Sequence, residues 1–439
     1  MHPKILIVGT VPYNKKMTSR AFESYFCDWE KENLAQIFSD PQPPVKGHCE
    51  TLYQITDQRL LKRRLSASLK VGKVFHYDEL EDDYKNEAGQ SSHSLISLLY
   101  KFGRRKRPLT YLLRGWLWRK KYWCTDELNQ WLDDFAPDCV FLSFSDDFFI
   151  PKIALYAAKR YNIPIVSSVG DDYFFNTRFS LSPFYHLYKS KFRKLIRTVF
   201  SHPGSAIYIS DKIKDKYNTE FQLNGQTVYL SSELSSRPFR PISVAAPVIS
   251  YFGNIRGGRN KSLDDIGFAL GKINPDYKLH VFSNEPDKIN YAPLLKNPNI
   301  CYHGAIPYSQ VLLEIPKSDI CIVVEGFATR DINLTRYSLS TKVADSLVSG
   351  VAVFAYGSPQ CGAIEYMQQI GCAEVCTDKA QLVSALRHLI DDTGFQESNY
   401  HTALRLTTER HNVKQSAKVF EAVVQSAMKG SGNPCLEKS

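Results

Sequence analysis

A chain of 439 residues, 43% hydrophobic and 13% aromatic, carries apolar side chains enough for two domain cores. No apolar run approaches the ~20 residues that a membrane-spanning helix requires, and the opening Met1-His-Pro-Lys-Ile-Leu-Ile-Val-Gly9 is too short for a signal peptide and reads as a strand. The formal charge of +10 points to an anionic partner, and the ten cysteines, at no repeated spacing, suit a reduced cytosolic protein without a disulfide framework.

In the first half, strands are expected at 4–9, 138–145, 164–170, 205–210 and 227–231, with helices at 19–38, 56–69, 125–136, 150–162 and 183–199. Gly9-Thr-Val-Pro12 turns away from the first strand, and Ser19 and Arg20 open the next helix. A glycine turn facing a helix start could touch an acceptor, so Gly9, Ser19 and Arg20 are candidates on that side. Residues 76–110 are polar and then basic, an irregular excursion from the first domain. Lys101 to Lys121 holds nine basic residues and no acidic one. Its candidate membrane contacts are Arg104, Arg105, Lys106, Arg107, Arg119, Lys120 and Lys121, with Trp116 and Trp118 as apolar anchors. That composition suits an anionic membrane surface; a solvated face packed over the two tryptophans is the other reading. Lys189 to Arg197 repeats the theme. No nucleic-acid recognition motif is present. Asp171 and Asp172 end the 164–170 strand, where a carboxylate either orients or deprotonates an acceptor hydroxyl or simply completes a turn.

Residues 231–247 contain three prolines and five serines. They divide a first domain, 1–235, from a second, 248–405, through a linker at 236–247. An amphipathic helix at 406–428 follows, then a tail at 429–439 expected to be disordered. The second domain alternates strand and helix, with helices near 262–273, 307–317, 360–370 and 378–392. Ile249-Ser-Tyr-Phe-Gly253 runs into the basic loop Arg256-Gly-Gly-Arg259-Asn-Lys261. A strand then ends at Gly304 before Pro307, and Asp319-Ile-Cys-Ile-Val-Val-Glu325 is another. Ser338-Leu-Ser-Thr-Lys342-Val-Ala-Asp345-Ser-Leu-Val-Ser-Gly350-Val-Ala-Val combines a hydroxyl-rich helix start, a glycine stop and a buried strand. Backbone N–H groups, Ser340, Thr341 and Lys342 gather there, where a diphosphate binds well; the same run also makes an ordinary helix–strand unit. Cys372 and Cys376 have no second ligand pair for zinc, and no metal or cofactor is expected.

These four motifs, in this order over 248–376, resemble the second domain of GT-B glycosyltransferases of the retaining, nucleotide-sugar-dependent group. The resemblance implies an α/β architecture of two Rossmann-like doubly wound domains facing a cleft. It implies transfer of a hexose from a UDP- or GDP-type donor, without metal, to a glycan acceptor. With the basic run, that acceptor is expected to be a lipid-linked cell-envelope or capsule polysaccharide, handled in the cytoplasm at the inner face of the membrane. In the family, a basic residue of the loop (Arg256, Arg259 or Lys261) and Lys342 hold the diphosphate and stabilise its departure. Gly253, Gly304, Ser340 and Thr341 line the donor wall, and Asp345 stands where the family's second acid binds ribose. The first acid, eight residues earlier, falls on Tyr337 and is missing; Glu325 is the nearest acid that could face the donor sugar. Catalysis is thus expected from Lys342 and Arg256, with Asp172 on the acceptor side. The missing acid keeps a non-catalytic scaffold subunit at a membrane surface as the alternative.

Overall fold

The structure, a computed structural model, describes residues 2–14, 20–66, 69–81, 107–177 and 179–430. The chain forms two compact units, Met1–Val228 with Ala417–Ser439, and Tyr229–Ser416. Among the described residues no helix is long and apolar enough to cross a membrane.

The first unit is built on β1 (Ile5–Val8), β2 (Leu34–Phe38), β3 (Thr51–Ile55), β4 (Gly72–His76), β5 (Cys139–Ser143), β6 (Ile165–Val169), β7 (Gly204–Tyr208) and β8 (Gln226–Thr227). Their order is β4-β3-β2-β1-β5-β6-β7-β8, parallel throughout except for the antiparallel edge strand β4. Every residue of β1 is buried, as a central strand covered on both faces requires. Three of the helices between strands start at side-chain caps: Thr56, Thr125 and Ser210 each accept a backbone N–H from the first turn.

The second unit contains β9 (Ile249–Phe252), β10 (Leu279–Phe282), β11 (Ile300–Gly304), β12 (Ile320–Val324), β13 (Ala352–Tyr356) and β14 (Glu374–Cys376), ordered β11-β10-β9-β12-β13-β14 and all parallel. Alternate residues Ile249 and Tyr251, Ile320, Ile322 and Val324, and Phe354 and Tyr356 face one core. There they meet Ile266 and Leu270 of the helix Arg259–Ile273 and Leu386 and Leu389 of the helix Leu382–Asp391. Successive strands run outward in one direction from β9 and in the other from β12. The crevice beyond the carboxyl ends of β9 and β12 is therefore the switch point at which open α/β sheets bind ligands. In the first unit the same reversal falls between β1 and β5.

Several expectations need correction. The helix expected at 19–38 is only Arg20–Tyr25; Leu34-Ala-Gln-Ile-Phe38 is instead β2, buried at every position beside β1. The 227–231 strand shrinks to Gln226–Thr227. The 236–247 segment is laid against the second unit: Ile242 is buried, its N–H donates to Gln396 Oε1 at 3.0 Å, and Arg237 donates to the Pro316 carbonyl at 2.9 Å. The single helix at 406–428 is two, Thr393–Glu409 and Val413–Gly430, broken where His411 adopts a left-handed φ of 58°. The second of these continues through Lys429 and Gly430, while 431–439 lie outside the described residues. Its Phe420 stacks among Tyr25, Phe26, Trp29 and Phe141 of the first unit, at ring distances of 5.0–5.6 Å.

Candidate functional site

At the β9–β12 switch point the chain leaves β9 through Gly253, whose φ of 140° is a conformation that L side chains rarely adopt. A Cβ at Gly253 would overlap the Lys342 side chain, which crosses directly over it. Lys342 comes from the first turn of the helix Thr341–Val348, and Ser340 sits at the cap with extended backbone and no side-chain cap bond. Its ammonium donates to the Tyr251 hydroxyl at 3.4 Å and lies 5.2 Å from the centre of that ring. Among the described residues Lys342 makes no ion pair. Burial, with the nearby charge of Arg259 adding and that of Glu325 opposing, pushes its pKa down to about 8.

The two arginines of the loop are differently placed. Arg259 meets Glu325 in a bidentate pair, Nη2 to Oε1 at 2.8 Å and Nε to Oε2 at 3.1 Å, with 17% and 2% of their side chains exposed. Glu325 is thus consumed in holding Arg259, a correction to the donor-sugar role read from its strand-end position. Its backbone carbonyl accepts from Ser262 Oγ at 2.7 Å, fixing the helix Arg259–Ile273 to the end of β12. Arg256 pairs with Glu285 at 2.7 and 2.9 Å, yet its own side chain remains 56% exposed. The guanidinium holds the Glu285 carboxyl well below the usual range. Lys261 is exposed, and Gly304 closes β11 with a φ of 77°. Nothing is described of the Thr341 side chain.

Asp345 departs from expectation. It is buried, and its Oδ1 accepts from Ser232 Oγ at 2.7 Å and the Tyr308 hydroxyl at 3.2 Å. The direct ribose contact read from the motif is therefore replaced, in this geometry, by a tie between the helix Thr341–Val348 and the segment around Ser232. Tyr251, Glu285, Ser232 and Tyr308 escaped sequence reading. Tyr251 looked like one more core residue in an apolar alternation, and the other partners are 29 to 113 positions away from the residues they bind.

In the first unit Gly9 follows β1 with a φ of 95°, and a Cβ there would strike the Ser143 carbonyl at the end of β5. Ser19 lies outside the described residues. Arg20 begins the short helix Arg20–Tyr25, and its side chain is not described. Asp171 is exposed. Asp172 is drawn into the loop: Oδ1 accepts from the Phe174 and Phe175 N–H groups at 3.1 and 2.8 Å and from the Tyr217 hydroxyl at 3.1 Å. Burial raises its pKa above the ordinary carboxylate value. The turn-forming reading of Asp172 is the one this geometry fits, and a base acting on an acceptor through Oδ1 is not. The loop after β5 instead brings polar groups that sequence reading passed over. Asp146 accepts from the Tyr111 hydroxyl at 3.1 Å, and Asp147 pairs with Arg114 at 2.6 Å.

Of the basic run, Arg104, Arg105 and Lys106 lie outside the described residues. Arg107 caps the helix Pro108–Leu117, and Arg119, Lys120 and Lys121 are exposed. Trp116 is 51% exposed, with the Arg64 guanidinium 3.3 Å from its ring centre. Trp118 is not an anchor. It is 1% exposed, stacked 3.7 Å from Phe149, and donates to Asp57 Oδ1 at 2.6 Å.

No protein-family model matches the sequence, and no curated protein matches it. Solved structures do match its fold. HepE from Anabaena, in complex with UDP-glucose, superposes with a TM-score of 0.57 at 13% identity, over 97% of this chain and 100% of that one. Sucrose-phosphate synthase from Thermosynechococcus elongatus gives 0.55 at 11% identity, over 98% and 100%. WaaG, a glycosyltransferase involved in lipopolysaccharide biosynthesis, gives 0.52 at 11% identity, over 98% and 100%. The chain has the α/β fold of the GT-B glycosyltransferases, built from two Rossmann-like units, as its motif order led us to expect.

Proposed function

We propose that this protein is a retaining glycosyltransferase that moves a hexose from a UDP- or GDP-type donor to a lipid-linked envelope or capsule glycan. The observation that carries this reading is Lys342, whose ammonium makes no ion pair among the described residues and whose side chain crosses Gly253 at the β9–β12 switch point. The fold shared with HepE, whose complex contains UDP-glucose, supports it. The donor diphosphate lies against Lys342, the Gly253 turn and the helix start at Ser340 and Thr341, with Gly304 on the flanking strand end. Arg256, half out in solvent, turns from Glu285 to the phosphates, while Arg259 and Glu325 hold the loop in shape.

As the bond between the sugar's anomeric carbon and the phosphate oxygen breaks, that oxygen gains negative charge. The Lys342 ammonium is already placed to stabilise it, without solvent reorganisation at the moment of reaction. The acceptor oxygen bonds to the anomeric carbon, and its proton passes to the departing phosphate oxygen, which becomes more basic as the bond lengthens. The acceptor's lipid would be met by the exposed cations Arg107, Arg119, Lys120 and Lys121 at the inner membrane face.

Lys342 gives the donor a pH dependence. Only the ammonium attracts the diphosphate, and in the free protein it titrates at about 8. Above that value each pH unit removes about tenfold of the charged form, so nucleotide affinity should fall by up to about tenfold per unit. Below pH 7 Lys342 itself stays charged and adds no slope, and any fall there comes from protonation of the terminal phosphate, whose second pKa is about 6. Calorimetric titration of UDP and GDP between pH 6 and pH 10 checks this for wild type and for Lys342→Met; affinity that is flat through pH 9 in the wild type removes Lys342 from the diphosphate.

A further inference from the structure

We propose that the helices Pro108–Leu117 and Pro183–Phe200, with the segment 179–181 leading into the second, form a face that docks onto an anionic lipid bilayer. The sequence marked the first of these by its charge and by Trp116 and Trp118, and the second only by the basic run Lys189 to Arg197; Leu109, Phe179, Leu181, Phe184 and Leu187 were assigned no part in contact. In the structure the two helices are neighbours. Tyr111 and Tyr188 stack at 4.9 Å, and Phe148 packs against Gly115 of one helix and against Tyr188 and Phe192 of the other.

Each helix buries one side and leaves large apolar groups on the other. Leu109, Leu113 and Trp116, at i, i+4 and i+7, are 40%, 50% and 51% exposed. Phe184 and Leu187, at i and i+3, are 47% and 46% exposed, and Phe179 and Leu181 just before them reach 91% and 87%. Seven such side chains on two adjoining elements exceed the scatter of single exposed apolar residues that a folded surface tolerates.

Charge selects the occupant. Residues 107–123 and 179–200 contain no aspartate or glutamate. Lys191 and Lys194 continue the Phe184–Leu187 stripe along the second helix, both exposed, as Lys120 and Lys121 follow the first. Apolar turns followed by lysines on the same elements match a bilayer. Aromatic and leucine side chains enter the acyl boundary while the ammonium groups meet anionic headgroups. A partner protein would be expected to meet a rim of mixed sign. The inference deepens the membrane-face part of the proposed function but does not depend on the Lys342 site, so its failure would remove the membrane contact and leave nucleotide-sugar binding at Lys342 standing.

Flotation of the full chain with phosphatidylcholine vesicles, with and without phosphatidylglycerol, tests it. The protein should float only with the anionic lipid, and raising salt from ~0.1 M to ~1 M should release it as the screening length shrinks. Phe179→Asp with Leu181→Asp, at positions too exposed to disturb folding, should weaken partition by at least about tenfold at unchanged Tm. Lys191→Gln with Lys194→Gln should weaken anionic binding and flatten its salt dependence. No flotation, equal flotation on neutral vesicles, or wild-type flotation by the Asp variant would overturn the proposal. So would a concentration-dependent dimer that the same Asp variant abolishes, because the face would then belong to a second copy.

Discussion

Lys342→Ala is expected to lower turnover at saturating donor by ~10²–10³, the cost of removing one group that stabilises charge developing in the transition state. The fold should survive. Because the Lys342 pKa is depressed from its unfolded value of ~10.4 to about 8, the unfolded chain binds more protons between those values. Stability from this group therefore rises with pH across that window and is penalised at pH 7. Replacing Lys342 should leave Tm at pH 7 unchanged or slightly raised. Nucleoside diphosphate release followed in parallel with thermal unfolding checks both halves; near-wild-type turnover would show that the ammonium does not serve the leaving group.

Gly253→Ala should destabilise the second unit and displace the Lys342 side chain. It forces an L residue to a φ of 140° and drives Cβ into the Lys342 side chain. Backbone strain and overpacking together should cost roughly 2–4 kcal/mol, and donor turnover should fall about as far as in Lys342→Ala. The double variant Gly253→Ala/Lys342→Ala separates the two costs. Without the lysine the collision disappears, so part of the lost stability should return while activity stays low. Strict additivity of the two substitutions in Tm would mean that Lys342 does not cross Gly253.

The second unit was legible because its elements coincide with its punctuation. Apolar strands end at Gly253, Gly304 and Glu325, and the hydroxyl-rich run before Lys342 marks a helix start. Those local signals carried the fold and brought Lys342 beside the β9 turn. What sequence could not show was which charges cancel. Arg259 and Glu325 lie 66 residues apart and meet only because β9 and β12 are neighbours in the sheet. Asp345 sits correctly in its motif, but its oxygen is engaged by hydroxyls from Ser232 and Tyr308, which no spacing rule connects. In the first unit β2 was missed because it lies within what looked like a single helical stretch, β3 because it falls between two expected helices, and β4 because it is only partly buried. Trp118 shows the same limit in miniature. Its neighbours on the basic run suggested a surface, whereas stacking on Phe149 and a bond to Asp57 place it inside.

The central claim is that the Lys342 site breaks the bond between a sugar and a nucleoside diphosphate. It is tested most directly by incubating the wild-type protein with UDP- and GDP-hexoses and a membrane lipid extract, and measuring nucleoside diphosphate released. Release from donors of one base, dependent on the extract and lost in Lys342→Ala, is the predicted result. Nucleotide binding without release from any donor offered would contradict it and leave a sugar-nucleotide-binding scaffold in its place.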